Sequence, residues 1–372
     1  MIDRSEQAPL SAIVLAAGEG TRMRSTRPKP LHLLCGRAMV LYVLDSLSDC
    51  DVDKAVVVVG HGAERVTKTL HEQAPPNLLI DFVEQHVQRG TGDAVSVALT
   101  AFPDDDFEDG DIVVLPGDAP LLRPPTLAAL VRRHRASDAA ATILSADISH
   151  PEGYSRIVRG RDDRVRSIVD DMDLEDDDRD IHEVATSIYC FRRSVLAPSL
   201  RRLTPENVQG EYYLTDVVGV LYDAGYPVVT MVLDDPTEAA GVNDRDQLAA
   251  AEAELRDRTN QRWMRRGVTM VDPQQTYIDA AVTLAPDVTI FPGTMLQGST
   301  VVAAGAELGP GTRLVDCVVG EGAVVEQTTG RLAEIGAQAR VGPFAVLAPG
   351  ARVAPGAVTG AYFQAGDEEE QV

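Results

Sequence analysis

The sequence predicts an α/β doubly wound domain followed by a short left-handed parallel β-helix. Three observations carry this expectation. Short aliphatic runs ending at Gly or Pro alternate with helical stretches over the first two thirds of the chain. A long stretch without Gly or Pro follows, and beyond it aliphatic residues recur every six positions.

The first run, Ser-Ala-Ile-Val-Leu-Ala-Ala at residues 11–17, stops at Gly18 and fits a buried parallel strand. Residues 55–59 and 112–115 repeat the pattern, with helical stretches at 39–47 and 94–101 between them. In such sheets ligands bind at the carboxyl ends of the strands. Residues 247–266 are rich in helix formers and end at Gly267, so they predict one helix linking two domains. The expected division is 1–246, 247–266 and 267–372, in keeping with about two domains for a chain of 372 residues. In the last part Leu284, Ile290, Leu296, Val302, Leu308 and Leu314 keep a period of six. After a break in phase it resumes at Ile335, Val341, Leu347 and Val353. A small residue follows most of these at four positions on, as at Thr294, Thr300, Ala306 and Ala339. Three hexads make one triangular coil, so about four coils fit. The acidic tail at residues 367–370 reads as a solvated end.

Composition excludes several classes of function. A net charge of −23 disfavours nucleic acid and anionic membrane surfaces as partners, because both demand basic patches. No apolar stretch approaches the roughly 20 residues of a membrane span, and the first six residues lack the layout of a signal peptide, so a cytoplasmic protein is expected. Cys35, Cys50, Cys190 and Cys317 show no paired spacing, which argues against a zinc site or a disulfide framework.

The strongest local motif is Leu15-Ala16-Ala17-Gly18-Glu19-Gly20-Thr21-Arg22-Met23. A strand running into a Gly-rich turn exposes backbone N–H groups, and a following helix N-terminus would add its dipole, a combination that cradles phosphate oxygens. Arg22 adds a planar fork for phosphate. Lys29 stands between Pro28 and Pro30 in a chain whose only other lysines are Lys54 and Lys68. A compact ammonium suits a single phosphate oxygen. Leu115-Pro116-Gly117-Asp118 closes another strand, and Asn243 follows Gly241-Val242.

These residues, with Gln85-x-x-Gln88-x-Gly90-Thr91-Gly92 and Gln209-Gly210-Glu211-Tyr212-Tyr213-Leu214-Thr215-Asp216, resemble the sugar-phosphate nucleotidyltransferases. Within that group the chain is similar to the bifunctional N-acetylglucosamine-1-phosphate uridylyltransferase/glucosamine-1-phosphate acetyltransferase family, from about residue 12 to about residue 357. The resemblance implies an NTP and a sugar 1-phosphate as substrates, most simply UTP and N-acetylglucosamine 1-phosphate or a related hexose phosphate. It implies that Leu15, Ala16, Ala17, Gly18, Gln85, Gly90 and Thr91 hold the nucleotide, with Gln85 reading the uracil edge through a paired donor and acceptor. Arg22, Lys29 and Asp118 would be catalytic. Gly117, Gly153, Asp170 and Asn243 would meet the sugar, and Asp118 and Asn243 would hold Mg²⁺. A homotrimer is implied through the β-helix. The acceptor side departs from the family: Ser155 replaces a glycine, Asp170 a glutamate and Ala185 an asparagine. A different sugar-like phosphate, or a non-catalytic sugar-nucleotide sensor, is the alternative reading. The acetyltransferase segments have no counterpart here, and that activity is expected to be absent.

Overall fold

A computed structural model describes residues 8–102 and 110–366; the amino-terminal segment and the acidic tail read above lie outside the described residues. Two compact units emerge. The chain up to His32 together with Ala38–Leu248 forms the first, and Leu33–Arg37 with the chain from Ala249 onward forms the second.

In the first unit, strands β1 (Leu10–Ala16), β4 (Lys54–Val59), β5 (Leu79–Glu84), β6 (Asp111–Pro116), β7 (Ala141–Asp147), β10 (Glu183–Arg192) and β11 (Val228–Val232) build one sheet in the order β11-β7-β10-β6-β1-β4-β5. A hairpin of β8 (Arg156–Arg159) and β9 (Val165–Val169) attaches through β10. The two-residue strands β2 (Leu33–Leu34) and β3 (Arg37–Ala38) pair with each other outside this sheet, in the short segment whose residues Leu33–Arg37 group with the second unit. The sheet is mixed rather than uniformly parallel, because β10 runs antiparallel to both β6 and β7. Side chains alternate across it. Ala12, Val14 and Ala16 of β1 pack with α1 (Met39–Ser48), α2 (Ala63–Gln73) and α4 (Pro124–Ala136). Ile13 and Ala17 pack on the opposite face with α3 (Thr91–Leu99), α5 (Arg193–Leu200) and α6 (Asp216–Asp223). A strand buried on both faces can be aliphatic at every position, which is why these runs read as continuous rather than alternating.

Helix α7 (Arg245–Arg265) ends where Gly267 takes a positive φ of 93°. Beyond it, short strands stack into three parallel sheets of five, six and five strands, the three faces of the β-helix. The six-residue period marks the inward positions: Leu284 through Leu314, and Ile335 through Val353, are buried in one core with Trp263. Small corner residues face inward too. The hydroxyls of Thr294 and Thr300 donate at 2.7 Å to the carbonyls of Phe291 and Gln297, so each buried hydroxyl is satisfied. The break in phase has a geometric origin. Leu296 stacks on Leu314, 18 positions on, but Leu314 stacks on Gly330 and Val319 on Ile335, 16 positions on. Three sides, 314–319, 325–330 and 330–335, carry five residues instead of six. Gly330 points inward where Leu314 already fills the space: a Cβ there would lie 3.0 Å from Leu314 Cδ2. Among the described residues no helix is long and apolar enough to cross a membrane.

Leu314 is fully buried at this narrowed coil. Leu314→Ala should lower the stability of the second unit by about 2–5 kcal/mol. Urea unfolding followed by the fluorescence of Trp263, the sole tryptophan, will report this as a lowered midpoint; an unchanged midpoint would contradict the packing.

Candidate active site

The site grows from the order of the strands. From β1 the chain moves outward through β4 to β5, then returns to place β6 on the other side of β1. The carboxyl ends of β1 and β6 therefore diverge into a crevice, the place where open α/β sheets bind ligands. Parallel register sets Leu15 beside Pro116, and the Gly117 N–H donates to the Leu15 carbonyl at 2.9 Å. The loop after β1 and the Gly117-Asp118 step are thus neighbours. A cavity of about 610 Å³ opens there, and every residue singled out from the sequence as a site residue lines it. Gln85, Gly90 and Thr91 reach it from the β5 side, and Gly153, Asp170 and Ala185 from the β10 side.

The Gly-rich loop continues into a single 3₁₀ turn, Thr21–Met23, rather than the helix the sequence led us to expect. The loop expected to cradle phosphate has one turn behind it and no extended helix. A Cβ at Gly18 would meet no protein atom within 4 Å, so the space beside this backbone belongs to the cavity. Gly20 has φ 63°, and a Cβ there would come within 2.7 Å of Lys29 Cβ. The loop and the lysine stem are packed backbone against methylene. Exposed Arg22 also borders the cavity.

Lys29 Nζ donates to Asn243 Oδ1 at 2.7 Å and to the Asp118 carboxylate. The segment carrying Asn243 is fastened in place: the Val242 N–H donates to the Asp118 carbonyl at 2.9 Å, and the Asn243 N–H to Gln247 Oε1 at 2.7 Å. Two oxygen donors more than a hundred residues apart therefore converge on one cation. Gln247, read from sequence as the start of a linker helix, is one of the residues that hold them there and lines the same cavity.

At the β5 side, buried Gln85 donates through Nε2 to Asp93 Oδ2 at 2.8 Å and to the Gly90 carbonyl at 3.2 Å. Both hydrogens of the amide are thereby used. The paired donor–acceptor reading of Gln85 is corrected: only Oε1 remains for a ligand. Asp93 had no signal in the sequence beyond its place in the first turn of α3. The segment 209–216 explains itself here. Tyr212 exchanges backbone hydrogen bonds of 2.8 Å with Arg89 and Gly92, and the Leu214 N–H donates to Thr91 Oγ1 at 3.0 Å. A Cβ at Gly90 would sit 2.6 Å from the Tyr212 carbonyl, so the glycine permits this close clasp. Gln88 reaches back to the Ala17 carbonyl at 2.6 Å and ties the same loop to β1.

At the β10 side a bulge between Ala185 and Tyr189 leaves Ser187 at φ 61°. Such bulges re-aim side chains beside sites. Ala185 is buried and offers no polar atom, and the Thr186 hydroxyl is spent on the Leu144 carbonyl at 2.8 Å. Asp170 caps the Met172 N–H with Oδ1 at 3.1 Å and receives the Ser155 hydroxyl on Oδ2 at 3.4 Å. Buried Arg156 bonds the Tyr154 carbonyl and pairs with Asp171 at 3.2 Å, fixing both segments that carry this pair.

The MobA-like NTP transferase domain matches residues 12–267, so the protein is a nucleotidyltransferase. Its curated relatives include the "Bifunctional protein GlmU" of Desulfitobacterium hafniense, 43% identical over 326 residues that cover 88% of this chain and 70% of that protein. The protein of the same name from Streptomyces coelicolor is 44% identical over 332 residues, 89% of this chain and 68% of its own. That from Thermobifida fusca is 43% identical over 333 residues, with the same coverage. The chain belongs to the GlmU family of nucleotidyltransferases.

Two predictions follow from these contacts. Gly20→Ala must either shift Lys29 or strain a left-handed backbone position at about 1 kcal/mol. Pyrophosphate release should fall at least about tenfold while the melting temperature moves little; unchanged turnover would break the link between loop and lysine. The second concerns Asp216, the first residue of α6, which burial together with Asp173 pushes up to about 6. The folded protein then holds this proton more tightly than the unfolded chain, whose carboxyl titrates near about 3.9. Stability should fall as pH rises from about 4 to about 6 and stay at the lower level above that. Asp216→Asn should remove this fall, matching wild type near pH 4 and melting higher at pH 7 in scanning calorimetry.

Proposed function

We propose that the protein joins a sugar 1-phosphate to UTP, forming a UDP-sugar and pyrophosphate, with N-acetylglucosamine 1-phosphate or a related hexose phosphate as acceptor. The observation that carries this reading is the convergence of the Asp118 carboxylate and the Asn243 carbonyl on one cation, beside a loop of free amides. The donor set is all oxygen and already accepts a positive charge in the form of the Lys29 ammonium, which fits a Mg²⁺ held by one or two protein oxygens and by substrate phosphates. A bound Mg²⁺ would supply charge neutralisation between the two phosphate groups.

The protein's own residues supply the rest. A sugar phosphate is an anionic nucleophile, so no side chain need remove a proton. What opposes reaction is the meeting of two negative groups at the α-phosphorus. The amides of the loop at 17–20, the Arg22 fork and the Lys29 ammonium lower that repulsion at fixed positions, which is where electrostatic catalysis gains most. Gln85, Gly90 and Thr91 hold the base end, and Asp170 with Gly153 the sugar end, so that attack and departure lie in line across Asp118. The names of the relatives support the family, and the cavity's lining supports this assignment of ends. We further infer association as a homotrimer through the β-helix. Val301 and Val318, exposed and paired on neighbouring coils, are apolar surface that such association would cover.

Lys29→Ala or Asp118→Ala should remove about 3–5 kcal/mol of transition-state stabilisation, a loss of two to four orders of magnitude in turnover, with an unchanged circular dichroism spectrum. Pyrophosphate release measured over a panel of triphosphates and sugar 1-phosphates tests the whole reading. Tight nucleotide binding with no release for any pair would instead mark a sugar-nucleotide sensor.

A further inference from the structure

The amide of Gln85 is held in one orientation, and its holder is a residue with no assigned role. Nε2 lies 2.8 Å from Asp93 Oδ2 and 3.2 Å from the Gly90 carbonyl. Amide oxygen and nitrogen are ordinarily told apart only by their partners. Here both partners are oxygens that can only accept, so the nitrogen must face them; turning the amide over would set oxygen against oxygen on both sides. Asp93 stands in the first turn of α3, where a helix N-terminus favours an acidic side chain. Gln85 is 6% exposed, so water offers little compensation for a flipped amide. Oε1 accepts no hydrogen bond from the described residues, and Gln85 lines the cavity.

We propose that Asp93 is the positioning residue that sets base specificity: by locking Gln85 with its oxygen toward the ligand, it makes the pocket select a pyrimidine that presents a ring N–H, uracil or thymine, over cytosine. Uracil offers N3–H where cytosine of the same shape offers a lone pair. Against a fixed carbonyl oxygen, the first is a hydrogen bond and the second is a repulsion with a buried acceptor left unpaired. This inference rests on the reading of the β5 side as the nucleotide end, and it adds a residue and a mechanism to that reading. The Gly90 carbonyl holds the same orientation through one longer bond of 3.2 Å, and Asp93 adds the shorter one of 2.8 Å, so removing Asp93 halves the contacts that oppose a flip.

The experiment compares UDP and CDP binding by calorimetry, and UTP and CTP turnover by pyrophosphate release, in wild type, Asp93→Ala and Asp93→Glu. Wild type should prefer the uridine nucleotide by about 100-fold or more, the scale for a site built around a substrate N–H. Asp93→Ala should shrink that ratio at least about tenfold, mostly by improved cytidine binding, with the KM for the sugar phosphate unchanged. Asp93→Glu, which keeps an acceptor, should restore part of the preference. A general loosening of the fold would weaken both nucleotides together and leave the ratio where it was. A ratio unmoved by Asp93→Ala, or a wild type indifferent to the base, overturns the proposal. Uridine preference in binding, lost in Asp93→Ala but without pyrophosphate release from any substrate pair, would sustain the base selection and sink the transfer reaction instead.

Discussion

Everything at the active site depends on the parallel pairing of β1 with β6. It holds Leu15 level with Pro116 across a single ladder, so the Gly-rich loop and the strand end that presents Asp118 leave the sheet side by side. Because the chain has already run outward to β5 before β6 is added, the connections above these two strand ends part in opposite directions. The crevice between them is a consequence of chain order and needs no special residue to keep it open. The side chains then occupy it from both flanks.

Within the crevice, one charge relation orders the chemistry. Lys29 is tied by its stem to Gly20 and by its ammonium to Asp118 and Asn243. The Gly-rich loop, the end of β6 and the segment before α7 are thus joined through one cation in a protein that is otherwise strongly acidic. A lysine can do this because its charge is compact and its stem long and thin; a guanidinium would need a broader pocket and a planar partner. The polar groups around it are mostly spoken for. Asn243 has Gln247, Gln85 has Asp93 and Asp170 has Met172, so each of these residues is held in one orientation. Preorganisation of this kind is what allows fixed dipoles to act on developing charge without rearranging.

The β-helix obeys a different and simpler rule. Each coil contacts only its neighbours, and its inward positions must present side chains that tile a triangular core. Where the coil shortens from 18 to 16 residues, the core narrows, and Gly330 supplies an inward position without a side chain against Leu314. The register change is absorbed locally, and the stack resumes with Ile335 above Val319.

The α/β and β-helix architectures were legible in the sequence, because both rest on local periodicity: strands buried on both faces read as unbroken aliphatic runs, and each inward β-helix position recurs six residues later. The candidate site residues were picked out by motif resemblance, and the structure brings them to one cavity. What only the tertiary structure decided were the partnerships. That Asp93 accepts from Gln85, that Gln247 bonds Asn243, and that segment 209–216 clasps the loop at Gly90 depend on contacts between segments whose spacing carries no period. The paired reading of Gln85 failed for the same reason: an amide shows its chemistry only once its neighbours are known. The reversed direction of β10 and the single turn after the Gly-rich loop were equally hidden. Strand direction and turn length are settled by how the chain closes on itself, and composition records neither.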